Sequence, residues 1–332
     1  MATIGNTFLS LIDVYKRTEG DQIAAVMEVL SQTNPILDDL IVTECNMGAS
    51  HRHTIRTGLP SVAWGRLYQG VPQSKSTTQQ VDDTTGFLEA MSQIDTRLLK
   101  LSPNEGALRL SEATAFLEAM NLEMATGLFY HDTATTPEKF KGLSARYATL
   151  GGGGAGNQIV DAGGTGSDNT SIWFVTWGEN FTTGLYPKGS RAGIQREDKG
   201  EQPATDASGN KYYVKEEMFT WHLGLAVRDW RYNARIANID VSDLKAGSVK
   251  LYDFMRKAYY KLQSRRVPGG RQAIYCNRDV LEALDAIGTN SGASDNFARL
   301  RPMELEGKEV LSYRGIPIRE TDALLNTESR VV

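Results

Sequence analysis

The chain has little of what marks secreted, membrane-spanning or nucleic-acid-binding proteins. Its 332 residues include only two cysteines, Cys45 and Cys276, so we expect no disulfide framework, and a reducing cytoplasm fits. No apolar run reaches the roughly 18 residues that a membrane span requires. The first residues show none of the parts of a secretory signal, so we expect no such leader. With 36 basic and 40 acidic residues, the chain also lacks the cationic excess of a typical nucleic-acid-binding domain.

What remains is the composition of an ordinary globular protein, with 40% hydrophobic and 23% charged residues. The length allows two domains or one elaborate fold with a well-buried core. Helix and strand patterns follow one another without regular alternation, and we find no internal repeat. This order predicts the α+β class.

The clearest single element is a long helix. Ser102 to Glu105 have the spacing of a capping box, with proline at the first helical position. The helix is predicted from Pro103 to about Phe129, and Pro137 prevents its continuation. Apolar residues recur inside it at intervals of three and four, which predicts one buried face. That face consists of Leu110, Ala113, Leu117, Met120, Met124 and Leu128.

Residues 50–85 contain too few large apolar side chains to build a core. Two stretches in it are typical of strands, SHRHTIRTGL and VAWGRLYQGV, and the following stretch QSKSTTQQVDDTTG is polar. We interpret the whole segment as a long protruding hairpin. Residues 7–32 are predicted to form short amphipathic helices of an arm, which packs on another part of the fold or on a neighbouring copy.

The second half of the chain is predicted to be rich in strands. Strand patterns occur in SIWFVTWGEN, TGLYPKG and RQAIYC, and residues 219–227 alternate strictly between apolar and polar. Helices are predicted to begin near Ser242 or Asp243 and after Asn277, which caps the second one. The stretch KEVLSYRGIPIRE predicts a hairpin that turns at residues 313–315. Residues 151–170 are predicted to form a mobile glycine-rich surface loop.

One motif raises the question of a nucleotide cofactor. Gly151, Gly153 and Gly156 match G-x-G-x-x-G literally. A dinucleotide site also requires a preceding strand, a helix that begins inside the motif, and an acidic residue about 20 positions later. The sequence that follows has no helical periodicity, so we favour the surface-loop interpretation. A cytosolic nucleotide-cofactor oxidoreductase is kept as a distant alternative.

Histidines are candidates for a metal site or for catalysis. His51 and His53 share one face of a predicted strand near Cys45, but Arg52 and Arg56 would repel a cation. We therefore favour a solvated or interface strand over a zinc site. His131 and His222 are likewise interpreted as ordinary turn and strand residues.

The sequence also contains candidate nucleophiles and a pair of adjacent carboxylates in a polar stretch. Cys276 lies in an apolar strand, where a thiol is usually inert, and no nucleophile-elbow motif is present. Asp82 and Asp83 lie in a polar segment, where a raised carboxyl pKa is not expected. The sequence thus predicts no catalytic residue, no cofactor and no metal, and the chain is not expected to be an enzyme.

The stretch RDWRYNAR interleaves three arginines with two aromatic residues. Arg228, Arg231 and Arg235 beside Trp230 and Tyr232 are compatible with stacking on single-stranded nucleic acid. A charged sheet edge or a contact between subunits is the alternative. The acidic balance of the chain favours the second interpretation.

Several stretches, in this order, resemble the major capsid proteins of tailed bacteriophages, which have the Hong Kong 97-like fold. The long helix followed by LFYHDTATTPEKFKGL resembles the end of that fold's spine helix. AIYCNRDVLEALDAIG and YRGIPIRETDAL resemble strands and a helix of its axial domain. LYPKGSRAGIQREDKGE and WHLGLAVRDWRYNARIANID resemble a subgroup found in short-tailed phages. The order of these last two stretches predicts a variant strand connectivity.

The resemblance implies a division of the chain into four parts. They are an N-terminal arm (1–49), an extended loop (50–86), a peripheral domain (87–147, with the spine helix at about 103–129 and strands from about 210–240) and an axial domain (148–209 and 241–332, with the glycine-rich loop 151–170).

The resemblance also implies what the chain does and with what. It implies hexamers and pentamers that form an icosahedral shell around double-stranded DNA, assembled in the host cytoplasm without membrane contact. Portal protein is an implied partner, and scaffolding and cementing proteins are further candidates. A bacterial nanocompartment shell of the encapsulin type is the alternative. The candidate subunit-interface residues are Arg52, Arg56, Trp64, Arg66, Leu67, Tyr68, Arg228, Arg231 and Arg235.

Overall fold

The fold is given by a computed structural model, which describes residues 18–19, 22–23, 34–102, 104–265, 267–290, 300–305 and 308–332. Most of the arm predicted to be helical, residues 7–32, lies outside the described residues. Within it, β1 (Thr18–Glu19) and β2 (Gln22–Ile23) form an antiparallel pair instead of helix.

Helices and strands follow one another irregularly along the described chain. The helices are α1 (Ile36–Asp39), α2 (Thr96–Leu101), α3 (Glu105–Tyr130), α4 (Leu143–Arg146), α5 (Val241–Lys245), α6 (Leu251–Lys261) and α7 (Arg278–Asn290). The further strands are β3 (Val42–Glu44), β4 (Ser50–Gly58), β5 (Thr77–Asp95), β6 (Ile159–Asp161), β7 (Asn169–Trp177), β8 (Thr182–Tyr186), β9 (Ile194–Thr205), β10 (Lys211–Val227), β11 (Ala234–Asp240), β12 (Arg271–Cys276), β13 (Arg301–Leu305), β14 (Lys308–Tyr313) and β15 (Ile316–Glu320). None of the described helices is long and apolar enough to cross a bilayer.

The long helix α3 begins slightly later than the capping-box prediction. Asn104 is the N-cap in place of Ser102, because its side-chain oxygen accepts a hydrogen bond from the Ala107 N–H at 3.1 Å. The predicted buried face is correct towards the carboxyl end and wrong at Leu110, which is 61% exposed. The reason is that the first turns pack against α2 through Leu108, which lies on another side of the helix.

One mixed sheet connects most of the described strands. Its order is β13-β14-β15-β12-β7-β8-β10-β5-β4, with β11 and β6 attached at β7, β3 at β8, and β9 at β10. Parallel pairs (β12–β15, β11–β6, β3–β8) occur beside antiparallel ones. The strand predictions of the second half are confirmed, including the hairpin that turns between Tyr313 and Ile316.

Two hydrophobic clusters lie on the two faces of this sheet, since successive side chains of β7 enter different clusters. Trp173 and Val175 join the cluster that contains Met124 and Leu128 of α3. Ile172 and Phe174 join the second cluster, which α6 and α7 cover with residues including Met255. The spine helix and the shorter helices thus cover opposite sides of the sheet.

The predicted hairpin forms, but its second strand is β5, which begins at Thr77 in the stretch predicted to be polar, and not the predicted strand VAWGRLYQGV. β4 pairs antiparallel with β5, from Ser50 opposite Thr84 to Gly58 opposite Thr77. The stretch VAWGRLYQGV, predicted as a strand, is irregular because its apolar side chains find no partner strand and no packing surface among the described residues of their own subunit. β5 continues past the hairpin and pairs with β10 as far as Asp95.

The glycine-rich stretch 151–170 is more ordered than predicted. It contains a 3₁₀ turn (Gly154–Gln158) and β6, which runs parallel to β11. Ile159 and Val160 are buried, and this apolar pair explains why the stretch joins the sheet. The glycine motif therefore leads into a 3₁₀ turn and a strand, whereas a dinucleotide site requires an α-helix there.

The end of the arm packs on its own subunit. Ile36 is fully buried in the cluster under α3, and the buried carboxylate of Asp39 accepts hydrogen bonds from Tyr275 at 2.8 Å and Arg319 at 2.9 Å. β3 then pairs with β8. Residues 34–44 therefore belong to the body of the fold.

Candidate functional site

The most exposed apolar surface lies at the end of the β4–β5 hairpin, in residues 59–76, which we call the tip loop. Trp64 is 97% exposed and Leu67 is 90% exposed, and Leu59, Val62, Tyr68 and Val71 are also exposed. Monomeric soluble proteins rarely present apolar patches of this kind without a partner. The predicted interface residues Trp64, Leu67 and Tyr68 are thus all exposed within this one loop.

The tip loop and the strand ends beside it carry positive charge. Arg56, Arg66 and Lys75 lie there, and no acidic residue occurs between Gly58 and Val81. The loop is closed across its neck by the Ser74 hydroxyl, which donates to the Ser61 carbonyl at 2.7 Å. A partner surface for this loop is therefore expected to be apolar with an acidic rim.

Arg52 lies lower on the outer face of the hairpin. Its guanidinium donates to both oxygens of Asp82, at 2.6 and 2.7 Å, and this hydrogen-bonded pair lowers the pKa of the Asp82 carboxyl. Both side chains are about half exposed. Such an exposed pair contributes little to stability.

The opposite face of the hairpin base is buried and polar. His51 and His53 alternate with Arg52 and so point towards the subunit body. The Arg146 guanidinium donates to Asp83 at 2.7 Å, and Arg228 donates to the His51 Nε2 at 3.1 Å. We call these five residues (His51, His53, Asp83, Arg146 and Arg228) the base cluster.

Both imidazoles of the base cluster have a lowered pKa. The main cause for each is burial, which disfavours the charged ring. The guanidinium of Arg228 acts in the same direction on both rings, and Arg146 does so on His53, while Asp83 opposes them. Of the two predicted alternatives, a solvated or an interface strand, the solvated one is wrong for this face, since His51 is only 9% exposed. Arg228 is the one predicted interface residue in the cluster.

The other two arginines of RDWRYNAR lie apart from the base cluster. Arg231 is on the surface and forms a two-pronged ion pair with Asp229, at 2.7 and 2.9 Å. Arg235 is 2% exposed, so its prediction as an interface residue is wrong. Its position in β11, inside the sheet, turns the side chain into the core instead of towards a neighbour.

Buried hydrogen bonds hold Arg235 in place. Its guanidinium donates to Glu328 at 2.8 Å, to the Tyr147 carbonyl at 2.9 Å and to the Ser171 hydroxyl at 3.1 Å. It also lies over the Trp173 ring, 4.9 Å from the centroid. This arginine fastens the carboxyl-terminal segment to the sheet.

A second outward-facing surface was not predicted from the sequence. Phe87 and Met91 of β5 are exposed, and beside them lie Met218 and His222 of β10. The ring of His222 is 5.9 Å from that of Phe87. Glu89 lies between the two exposed apolar residues. This surface could have been predicted from the alternation of side chains along β5, because that alternation places residues 87, 89 and 91 on one face.

No three His, Cys, Asp or Glu side chains within the described ranges lie close enough together to hold a metal ion. Cys276 is fully buried, which raises the pKa of its thiol to about 12. The thiol is therefore held in its unreactive protonated form.

A spine helix packed across a mixed sheet, with a two-stranded hairpin projecting from it, is the architecture of Hong Kong 97-like capsid subunits. The family model for major capsid protein GP7 matches residues 18–332, and the chain belongs to this family. The structure of bacteriophage Epsilon15 matches with 34% sequence identity and a TM-score of 0.79, covering 100% of this chain and 99% of that chain. These findings confirm the α+β Hong Kong 97-like fold and the tailed-phage capsid resemblance.

More distant structures also match. The bacteriophage JBD30 capsid is 10% identical, with coverage of 89% of this chain and 92% of that chain and a TM-score of 0.47. The SrpI encapsulin complex from Synechococcus elongatus PCC 7942 is 12% identical, with coverage of 70% and 96% and a TM-score of 0.46. A comparison with curated protein sequences gave no match. The protein is a major capsid protein of a tailed phage, which sets aside the encapsulin and oxidoreductase alternatives.

Proposed function

We propose that copies of this chain are clasped together in the shell by the tip loop of one copy packing on the body of another. The observation that carries this proposal is the exposure of Trp64 and Leu67 at the end of a hairpin that gives them no cover. Fully burying one such side chain contributes about 1.5–3 kcal/mol. A few of these contacts, repeated around a closed shell, offset the cost of ordering the loop.

The receiving surface in this proposal is the outward face of β5 and β10 on the second copy. It offers apolar contact through Phe87 and Met91, which are 61% and 46% exposed. Glu89 and Glu216 supply negative charge beside them, complementary to Arg66 of the tip loop. Because one surface differs from the other, the contact is heterologous, and such contacts form rings when the rotation between copies closes.

We also propose the division of the subunit implied by the resemblance: an arm (1–49), an extended loop (50–86), a peripheral domain around α3 and an axial domain. One observation supports the boundary of the extended loop: β5 stops pairing with β10 at Thr85, where the hairpin leaves the sheet. We assign β11 to the axial domain, since it pairs with β6 and β7, whereas β10 pairs with β5 over most of its length and with β8 only at its last four residues.

The remaining parts of the proposal follow from membership of the family. The shell is icosahedral, is built from hexamers and pentamers, and is assembled in the host cytoplasm around double-stranded DNA that is not read by sequence. Portal protein is a partner, and scaffolding or cementing proteins are candidates. The net charge of −4 is compatible with enclosing DNA without a dedicated recognition surface. We propose that the chain has no enzymatic activity.

The tip-loop proposal is tested with a double substitution, Trp64→Asp and Leu67→Asp. Charged side chains here leave the exposed loop folded but make its burial against another copy unfavourable. We expect soluble subunits with unchanged circular dichroism and no shells by size-exclusion chromatography and negative-stain microscopy.

The matched control is Trp64→Phe with Leu67→Met, which keeps the loop apolar and is expected to assemble. Shells of normal size and yield from the aspartate variant would contradict the proposal.

A further inference from the structure

The hairpin leaves the subunit body at a junction occupied by the base cluster. Pairing between β5 and β10 ends with Thr85 opposite Gly224, and pairing between β4 and β5 begins one residue earlier, with Thr84 opposite Ser50. His51 and Asp83 face each other directly across this first part of the hairpin. Any change at these side chains therefore acts where the hairpin is attached.

Each element packed against the two histidines contributes a charged group. Arg146 comes from α4, Arg228 follows β10, and Asp83 comes from β5. Asp82 is the remaining nearby acid, but its carboxylate is paired with Arg52 on the outer face. On the buried face, the Asp83 carboxylate thus lies near two guanidinium groups, those of Arg146 and Arg228, even when both histidines are neutral.

The hydrogen bonding of the cluster is incomplete. The buried His51 Nδ1, both ring nitrogens of His53, the Asp83 Oδ2 and the Arg228 Nε have no hydrogen-bond partner among the described residues. The closest approach is between His53 Nδ1 and Asp83 Oδ2, at 3.7 Å, which is too long for a hydrogen bond. Buried polar groups without partners are costly, so this attachment is held less firmly than a fully bonded one.

The sign of the pH effect follows from the lowered pKa of both rings. Above the ordinary histidine pKa of 6.5 both rings are neutral, and the attached arrangement has its full stability. As the pH falls below 6.5, the two histidines take up protons more readily when the hairpin base is detached than when it is attached. Each histidine thereby raises the ratio of subunits with a detached hairpin base to subunits with an attached one by up to about tenfold per pH unit.

We propose that the histidine pair makes the seating of the hairpin on the subunit body sensitive to acid. At mildly acidic pH the two rings become charged beside Arg146 and Arg228, and they leave the buried site for water. The hairpin base separates from α4, and the tip loop points in a new direction. The proposal rests on the proposed contact of the tip loop with another copy, because the direction of the tip loop affects assembly through that contact.

Hydrogen–deuterium exchange on the full chain, diluted until size-exclusion chromatography shows only single subunits, tests this proposal. Peptides covering β4 and residues 77–86 are followed between about pH 8 and about pH 5.5, with rates corrected for intrinsic exchange. We expect their protection to fall by up to about tenfold for each histidine at the lower pH, while peptides of α3 keep theirs.

Three variants separate proton uptake from a purely structural role. In H51Q/H53Q the acid-induced loss of protection is expected to disappear. In R228Q it is expected to weaken, because one of the repelling cations is gone. His222→Gln is the matched control, since this histidine lies on the outward face of β10, and it is expected to respond like the unmodified chain.

An equal acid response in H51Q/H53Q, or equal protection of the unmodified chain at both pH values, would overturn the proposal. The readout uses dispersed subunits, so it does not depend on assembly. An acid response at the hairpin base, together with normal shells from the Trp64→Asp, Leu67→Asp variant, would refute the tip-loop clasp and leave the histidine response standing.

Discussion

Replacing Glu328 by alanine removes the buried carboxylate that holds Arg235. Both side chains are almost fully buried, with 4% and 3% of their surfaces exposed. The substitution leaves the guanidinium charged inside the core, since arginine does not lose its proton in proteins. The hydroxyl groups of Tyr130 and Ser171, which also donate to this carboxylate, lose their acceptor.

Breaking one side of a buried ion pair costs about 3–5 kcal/mol, most of it from the charge left without a partner. Replacing both partners by apolar residues of similar volume removes that penalty. We therefore expect R235M/E328M to cost less than E328A alone, although Tyr130 and Ser171 still lose their acceptor. The exposed pair of Arg52 and Asp82 is the control, and D82A is expected to cost under about 1 kcal/mol.

Urea unfolding of dispersed subunits, followed by tryptophan fluorescence, measures these free energies. The fluorescence reports on the site because Trp173 lies directly under the Arg235 guanidinium. A cost below about 1 kcal/mol for E328A would show that the guanidinium finds solvent or another partner. If R235M/E328M costs as much as R235M and E328M added together, the reasoning is refuted, since the two groups would then act independently.

Two further predictions concern the core. Leu128 is fully buried in α3, so Leu128→Ala is expected to lower the free energy of unfolding in urea by about 2–5 kcal/mol. Leu110 is exposed on the same helix, so Leu110→Ala is expected to lower it by under about 0.5 kcal/mol. Equal costs would show that the helix face is misassigned. Both thiols are buried and their pKa values are raised, that of Cys276 to about 12, so a thiol reagent at about pH 8 is expected to modify neither Cys276 nor Cys45 until the chain is unfolded. Rapid modification of the native chain would contradict this.

The elements that the sequence predicted well are those with local signals. The spine helix has a capping residue and a periodic face, and β10 has strict alternation, so each could be found from neighbours within a few residues. Asn277 was recognised as the cap of α7 in the same way, and its side chain accepts from the Val280 N–H at 2.9 Å. The fold class followed from the order of these elements.

What the sequence could not give depends on residues far apart along the chain. Arg235 lies in a stretch rich in charge that suggests a surface, but its partner Glu328 is 93 residues away. The base cluster joins β4 to Arg146 and Arg228, which no local pattern connects to it. The stretch VAWGRLYQGV of the tip loop was wrongly predicted as a strand, because a strand-like composition forms a strand only beside a partner, and the described part of its own subunit provides none.

The strand β5 belongs to two structures at once. Its first part is one arm of the hairpin, and its second part lies in the body of the sheet next to β10. Its 19 residues form one continuous backbone about 60 Å long. While the hairpin base is seated on the subunit body, a pull on the tip loop along the strand direction therefore travels along β5 directly into the sheet. The force acts in shear on the hydrogen bonds between β5 and β10, so many of them must break at the same time. The tip loop is therefore mechanically anchored in the middle of the fold.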